Sequence, residues 1–150
     1  MADGIALSRI GEEHLAALAE LERLCFSEPW SEHALRLLLG DGAIGVVLTE
    51  QGRVVAYGGM TTVLDEGSVT NIAVHPEARR RGYGRAVTQE LIRRASACGI
   101  RTVFLEVRES NTAARALYAS LGFAECGVRR GFYRHPTESA IQMVLADTNE

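Results

Sequence analysis

Two side chains and one loop in this sequence have the types and spacing to do chemistry. Glu106 stands near the end of an apolar run, Val103-Phe104-Leu105-Glu106-Val107. In a strand, period-two alternation places Phe104 and Glu106 on one face and Val103, Leu105 and Val107 on the other. A carboxylate in such surroundings costs free energy unless it is paired or functional. It either pairs with Arg108 at the edge of a sheet or accepts a proton from a reactant. Tyr118 shares a helical face with positions 111, 114 and 115, at i, i+3, i+4 and i+7 counted from Asn111. Its phenol is either an amphipathic core group or a proton donor.

The loop is His75-Pro76-Glu77-Ala78-Arg79-Arg80-Arg81-Gly82-Tyr83-Gly84-Arg85, between a β run and a helix. A helix N-terminus leaves backbone N–H groups unpaired and carries positive potential, so an anion can occupy it. Glycine at 82 and 84 lets the backbone approach a ligand closely. Arg79, Arg80, Arg81 and Arg85 add charge suited to a diphosphate. Taken alone, the loop is equally readable as a tight turn with a solvated arginine cluster. A dinucleotide fingerprint fails, because Gly82-Tyr83-Gly84 continues as Arg85-Ala86-Val87 without the third glycine. A nucleic-acid patch would carry more basic residues interleaved with aromatics, and only Tyr83 is present.

The elements that must position these groups follow from periodicity and punctuation. Leu15, Leu18, Leu21 or Glu22, and Cys25 mark an amphipathic helix over Glu12–Cys25. Pro29 interrupts it, and Ser31 is placed to cap a second helix running to Leu39. Ile44–Thr49 and Val54–Thr61 form a hairpin about Glu50-Gln51-Gly52-Arg53, followed by a strand over Ser68–Val74. A helix over Ala86–Cys98 ends at Gly99, and Thr102–Val107 is a strand. Asn111–Leu121 is a helix stopped by Gly122. Phe123–Val128 and Ile141–Leu145 are the last strands, with Gly131, Phe132, Tyr133 and Pro136 in the loop between them. No repeat, linker or low-complexity stretch breaks the chain, so 1–150 is expected to be one mixed α/β domain.

Composition narrows the chemistry further. The net charge is −3, and all 16 basic residues are arginine. Without lysine the protein can form no Schiff base of its own and no Gly-Lys phosphate loop. A mildly acidic chain does not suit direct nucleic-acid binding. No apolar run approaches the ~20 residues of a membrane span. Met1 to Ile10, with Asp3 and no basic–apolar sequence, does not read as a signal peptide. Cys25, Cys98 and Cys126 are odd in number and lack paired spacing, which suggests free thiols in the cytoplasm. His14, His33, His75 and His135 are scattered without metal-ligand spacing, so no metal is expected.

Arg79-x-x-Gly82-x-Gly84 after a strand resembles the acyl-CoA pyrophosphate loop of the GNAT acetyltransferase superfamily, and the order of elements is similar over nearly the whole chain. The resemblance implies a single-domain α/β GNAT fold. Its central sheet is mixed, mostly antiparallel and flanked by helices, and the strand before the loop splays to form the acyl-CoA cleft. It further implies that Ile72, Ala73 and Val74 lie along the pantetheine arm, with Ile72 and Val74 presenting backbone to it. Arg79 and the amides of Arg80, Arg81, Gly82, Tyr83, Gly84 and Arg85 would hold the pyrophosphate.

Leu105-Glu106-Val107-Arg108-Glu109-Ser110-Asn111 and Ala116-Leu117-Tyr118-Ala119-Ser120-Leu121-Gly122-Phe123 are similar to the RimI-type ribosomal-protein alanine N-acetyltransferases of that superfamily. Phe26-Ser27-Glu28-Pro29-Trp30-Ser31 and Asn71-Ile72-Ala73-Val74 share the likeness. By position, the resemblance implies Glu106 as a base acting through ordered water, Tyr118 as the acid that protonates the thiolate, and Asn111 as a cofactor contact. Trp30, Phe132 and Tyr133 are expected on the acceptor side, although Phe132 and Tyr133 also read as a small hydrophobic plug. Arg129, Arg130 and Arg134 either draw in an acidic segment or are solvated. Ser139, before Ala140, stands where these relatives often carry an acid, with Glu138 one place earlier; the difference bears on acceptor choice. The implied reaction moves acetyl from acetyl-CoA to a protein N-terminal amine, an alanine on a small-subunit ribosomal protein, by direct attack. Another amine (a lysine side chain, a polyamine, an antibiotic) and a non-catalytic acyl-CoA sensor are the alternatives, and a sensor has no need of Glu106 and Tyr118.

Overall fold

A three-residue contact between two parallel strands sets the architecture. The computed structural model describes residues 4–148; Asp3, which counts against a signal peptide, lies outside the described residues. The strands are β1 (Ile5–Arg9), β2 (Ala43–Glu50), β3 (Arg53–Val63), β4 (Glu66–Val74), β5 (Thr102–Arg108), β6 (Ala124–Tyr133) and β7 (Glu138–Leu145). The helices are α1 (Leu15–Cys25), α2 (Glu32–Leu35), α3 (Tyr83–Ala97) and α4 (Thr112–Ser120). One open sheet runs β1-β2-β3-β4-β5-β7-β6. Every pairing is antiparallel except β4 with β5. That parallel pairing covers only Glu66↔Thr102, Gly67↔Val103 and Ser68↔Phe104. Beyond it the strands part, as the expected splay requires.

Each face of the sheet has its own apolar layer. Val87, Leu91 and Ala95 of α3 pack with Val46, Leu48, Met60, Val103, Leu105 and Val107. Leu15, Leu18 and Leu21 of α1 pack with Leu38, Val47, Tyr57 and Ala73 on the opposite face. The run Val46-Val47-Leu48 is apolar without interruption because β2 is buried on both sides. Gly58 has a packing reason for its bare backbone: a Cβ there would lie 2.7 Å from both Val87 Cγ1 and Leu91 Cδ1. β4 carries a bulge. Gly59 pairs with Asn71 and Met60 with Val69, so Thr70 is the extra residue.

Several sequence expectations shift at their edges. The first element among the described residues is a strand, not a helix: β1 is an edge strand with a buried-exposed pattern too weak to register, since only Ile5 and Leu7 are half-buried. Ser31 does cap α2, its Oγ accepting from the Ala34 N–H at 3.1 Å. The regular helix then tightens into a 3-10 turn over Arg36–Leu39. Helix α3 starts three residues earlier than expected, at Tyr83, because Gly82 takes a left-handed conformation (φ +81) as its N-cap. Gly131, Phe132 and Tyr133 lie in β6 and not in the loop; the pairing with β7 is irregular between Arg129 and Tyr133. Replacing Gly58 by alanine should force α3 off the sheet and lower the unfolding free energy by about 1–3 kcal/mol, read as a lower urea midpoint at unchanged slope.

Candidate active site

The gap between β4 and β5 opens a cleft of about 770 Å³. One wall is Val69, Thr70, Asn71 and Ile72 of β4; the other is Leu105, Glu106, Val107 and Arg108 of β5. Asn111, Ala114 and Tyr118 line it from the α4 side, and Phe26, Ser27, Glu28 and Trp30 from the α1–α2 connection. The turn after β6 completes the rim. Arg108 holds that rim together. Its Nη1 donates to the Pro136 carbonyl at 3.0 Å, and its Nη2 donates to the Arg134 carbonyl at 2.9 Å and to Ser27 Oγ at 3.4 Å. The same guanidinium covers the Tyr133 ring, 4.5 Å from its centroid.

Glu106 and Tyr118 reach the cleft from opposite faces of the sheet. Leu105 and Val107 point into the α3-side core, so Glu106 between them points the other way. Its partner is not Arg108, which instead pairs with Glu138 at 3.3 Å. Arg129 Nε lies 3.3 Å from Glu106 Oε2, yet out of hydrogen-bond alignment, so this buried oxygen has no hydrogen-bond donor. Tyr118 belongs to the α3-side core, and its ring meets Phe123 edge-on at 6.0 Å. Burial, with a smaller contribution from Tyr133, pushes the Tyr118 hydroxyl up to about 12. Tyr133 is also pushed up to about 12, first by burial and then by the Glu106 charge. Phe132 stacks edge-on against Tyr133 and lies under Arg129.

A second, smaller pocket of about 220 Å³ sits at the start of α3, lined by Val74, Arg79, Arg80, Gly82, Tyr83, Gly84, Arg85 and Leu117. The first intrahelical bond runs from the Ala86 N–H to the Gly82 carbonyl at 3.0 Å. The amides of Tyr83, Gly84 and Arg85 precede it and are the unpaired N–H groups of a helix N-terminus. A Cβ on Gly82 would meet nothing within 4 Å, and one on Gly84 only Val74 and Leu117 at 3.6 and 3.7 Å. Arg79 Nε donates to the Val74 carbonyl at 3.3 Å, which ties the loop to the end of β4. The Arg85 guanidinium reaches Ser120 Oγ on α4 at 2.9 Å. Arg81 does not line the pocket; it pairs with Glu50, which also accepts from the Tyr83 hydroxyl at 2.6 Å. The Ala73 side chain is buried in the α1-side core, whereas Ile72 lines the cleft and Val74 the loop pocket. Asn111 Oδ1 is engaged in capping α4 through the Ala114 N–H at 3.1 Å.

The sequence matches the Acetyltransferase (GNAT) family over residues 15–123. This chain belongs to the GNAT acetyltransferase family. It is 40% identical over 143 residues to the [Ribosomal protein bS18]-alanine N-acetyltransferase of Escherichia coli K12, covering 93% of this chain and 95% of that protein. The crystal structure of the ribosomal-protein-S18-alanine N-acetyltransferase from Escherichia coli superposes with a TM-score of 0.88 at 38% identity, covering 94% and 92% of the two chains. Arabidopsis thaliana NAA60 in complex with acetyl-CoA shares the fold at 17% identity, with a TM-score of 0.85 over 93% and 97%.

GNAT enzymes use acetyl-CoA, and the loop pocket fits the diphosphate of that cosubstrate: free helix-start amides, an open glycine floor and arginines beside it. Among the described residues no cluster of His, Cys, Asp and Glu could hold a metal ion, and no helix is long and apolar enough to cross a membrane. Three features of this GNAT cleft escape the sequence reading. They are Glu22 beneath it, the Arg129–Glu106 contact, and Glu138, whose carboxylate takes the Ser110 N–H as well as Arg108. Glu22 left a signal as an acid on the apolar stripe of α1, and Glu138 as the acid one place before Ser139, but their contacts did not. The Ser110 bonds, then Arg108, hold the Glu138 carboxyl below its ordinary range. A carboxyl lowered by folding stabilises fully above its unfolded value near ~4.3 and loses that contribution as pH falls. Glu138→Gln should therefore lower the thermal midpoint at pH 7, and the difference from the parent should close as the pH drops below about 4.

Proposed function

We propose that this GNAT enzyme transfers acetyl from acetyl-CoA to the N-terminal α-amine of a ribosomal protein of the bS18 type, with alanine as first residue. One domain spanning the chain would do this in the cytoplasm. The 40% identity to enzymes of that name along almost the whole chain supports the acceptor. The observation that carries the chemistry is that Glu106 and Tyr118 reach one cleft from opposite faces of the sheet.

When bound, acetyl-CoA supplies an activated thioester. Val74, Arg79, Arg80, Gly82, Gly84 and Arg85 hold its diphosphate end, and Ile72 and Val74 guide its arm along the open edge of β4. Glu106 takes the proton from the attacking amine, directly or through water. An α-amine titrates near ~7.7–8.0 against ~10.4 for lysine, so an N-terminus offers far more neutral nucleophile and modest base assistance suffices. The Tyr118 hydroxyl, lifted by burial to about 12, keeps its proton beyond the pH range where an ordinary tyrosine ionises. It delivers that proton to the leaving-group side of the cleft. Trp30, Phe132 and Tyr133 form the acceptor entrance.

Release of free thiol from acetyl-CoA, measured with short peptides that differ only at the first residue, tests this reading. The expected outcome is release that requires a free α-amine and is fastest with alanine; equal release with polyamines or lysine side chains would redirect the assignment. Glu106→Gln should lower kcat about a hundredfold or more at nearly unchanged acetyl-CoA affinity. Tyr118→Phe should also lower kcat, and the parent should lose no activity through pH 10, where an ordinary tyrosine would ionise.

A further inference from the structure

Glu22 is the buried ionisable group that the mechanism above leaves without a task. It lies on α1 at 1% exposure and lines the floor of the cleft. Its Oε1 accepts from the Trp30 N–H at 2.8 Å, and its Oε2 from the Tyr57 hydroxyl at 2.5 Å and Asn71 Nδ2 at 3.2 Å. A carboxylate accepting three donors offers no hydrogen of its own, so only the NH₂ end of Asn71 can face it. Glu22 thereby fixes which way the Asn71 amide points and leaves Oδ1 as the end that is presented elsewhere.

That oxygen has no partner. Among the described residues, three buried side-chain polar atoms lack a hydrogen-bond partner: Thr70 Oγ1, Asn71 Oδ1 and Glu106 Oε2, the last of them ion-paired with Arg129 at 3.3 Å. All three belong to residues lining this cleft. They also share a face. The bulge at Thr70 turns Thr70 and Asn71 both toward the α1 side, while Val69 and Ile72 pack with the α3-side core. Glu106 points to the α1 side from the opposite wall. A buried acceptor without a donor costs about 1–3 kcal/mol. Asn71 Oδ1 can only accept, the Thr70 hydroxyl can accept or donate, and Glu106 Oε2 has only the misaligned Arg129, so the gap suits a guest that brings N–H groups. Rotamer changes at the walls on binding are ordinary and would bring the shielded oxygens within reach.

Resting on the proposed N-terminal acetylation, we infer that Asn71 Oδ1, oriented by Glu22, accepts the first peptide N–H of the acceptor. The amine itself is taken up by Glu106 on the facing wall. The next donor along the acceptor chain is the amide between residues one and two, and the β4 wall is what remains to receive it. This gives the cleft a means of distinguishing a peptide N-terminus from a polyamine or a lysine side chain, which has no amide one residue behind its amine. Glu22 is a positioning residue in this arrangement. Asn71 is a binding residue for the acceptor.

The test pairs protein variants with a modified acceptor: an alanine-initiated peptide and the same peptide N-methylated at its first peptide bond. For the parent enzyme, methylation should raise the peptide KM about tenfold. Asn71→Ala should raise the KM for the unmodified peptide by a similar factor and be indifferent to methylation, with the acetyl-CoA KM unchanged. Glu22→Gln provides a second route. Its amide nitrogen cannot face the Trp30 N–H, so it faces Asn71 and turns that amide around; the peptide KM should rise although the cleft loses no atoms. An unchanged acetyl-CoA KM in either variant shows an intact fold. An Asn71→Ala enzyme with parental peptide KM, or equal sensitivity of parent and variant to methylation, overturns the inference while leaving N-terminal acetylation standing. A parent enzyme that transfers acetyl to no free-α-amine peptide overturns both.

Discussion

The site depends on β4 and β5 being hydrogen-bonded at one end and apart at the other. Backbone N–H and C=O groups are nearly always paired when buried, so a strand edge opened inside a sheet must be met by solvent, side chains or a ligand. Here β4 is held along its far edge by β3 as far as Val74, and β5 along its far edge by β7 as far as Arg108. The facing edges can part without loss of either strand. The gap is propped by the elements at its mouth, where Arg108 ties the turn after β6 to the α1–α2 connection. Pairing at Glu66–Ser68 fixes the vertex, and the rest of the molecule fixes the angle.

Parting the strands gives the cleft two distinct sides. On the α3–α4 side lie the unpaired amides that start α3, the arginines beside them and the protonated Tyr118. On the α1 side lie Glu106, Asn71 and Thr70, with Glu22 beneath Asn71 and Arg129 beside Glu106. A reaction that joins a donor-rich amine to an anionic carrier needs this separation, since the same surroundings cannot favour both. The packing that creates it is ordinary. Alternating side chains in β4 and β5 supply each side, and one bulge at Thr70 shifts the alternation so that two consecutive side chains, Thr70 and Asn71, face the α1 side.

Much of this was legible in the sequence, for physical reasons. Glu106 stood out because a strand that alternates strictly leaves one carboxylate exposed to question, and the glycine loop because turn residues and a following helix define each other. Boundaries failed where glycine misled. Gly84 read as loop but lies in the first turn of α3, and Gly131 read as loop but lies within β6. Strand β1 was invisible because an edge strand buries too little to impose a pattern. Glu22 was present on the apolar stripe of α1, but its partners Tyr57 and Asn71 lie 35 and 49 residues away. Short-range periodicity carries no information about such pairings. The Arg129–Glu106 contact was hidden for the same reason: it joins two strands that are both neighbours of β7 but not of each other.

The most direct measurement is a crystal structure with a bisubstrate compound in which an alanine-initiated peptide is joined through its acetylated amine to coenzyme A. The expected result has the diphosphate at the amides of Tyr83 to Arg85, the pantetheine arm beside Ile72 and Val74, and the peptide on the α1 side, between Asn71 and Glu106. A peptide leaving the cleft on the α4 side, or a diphosphate bound away from the start of α3, would contradict the division of the cleft on which the proposed chemistry rests.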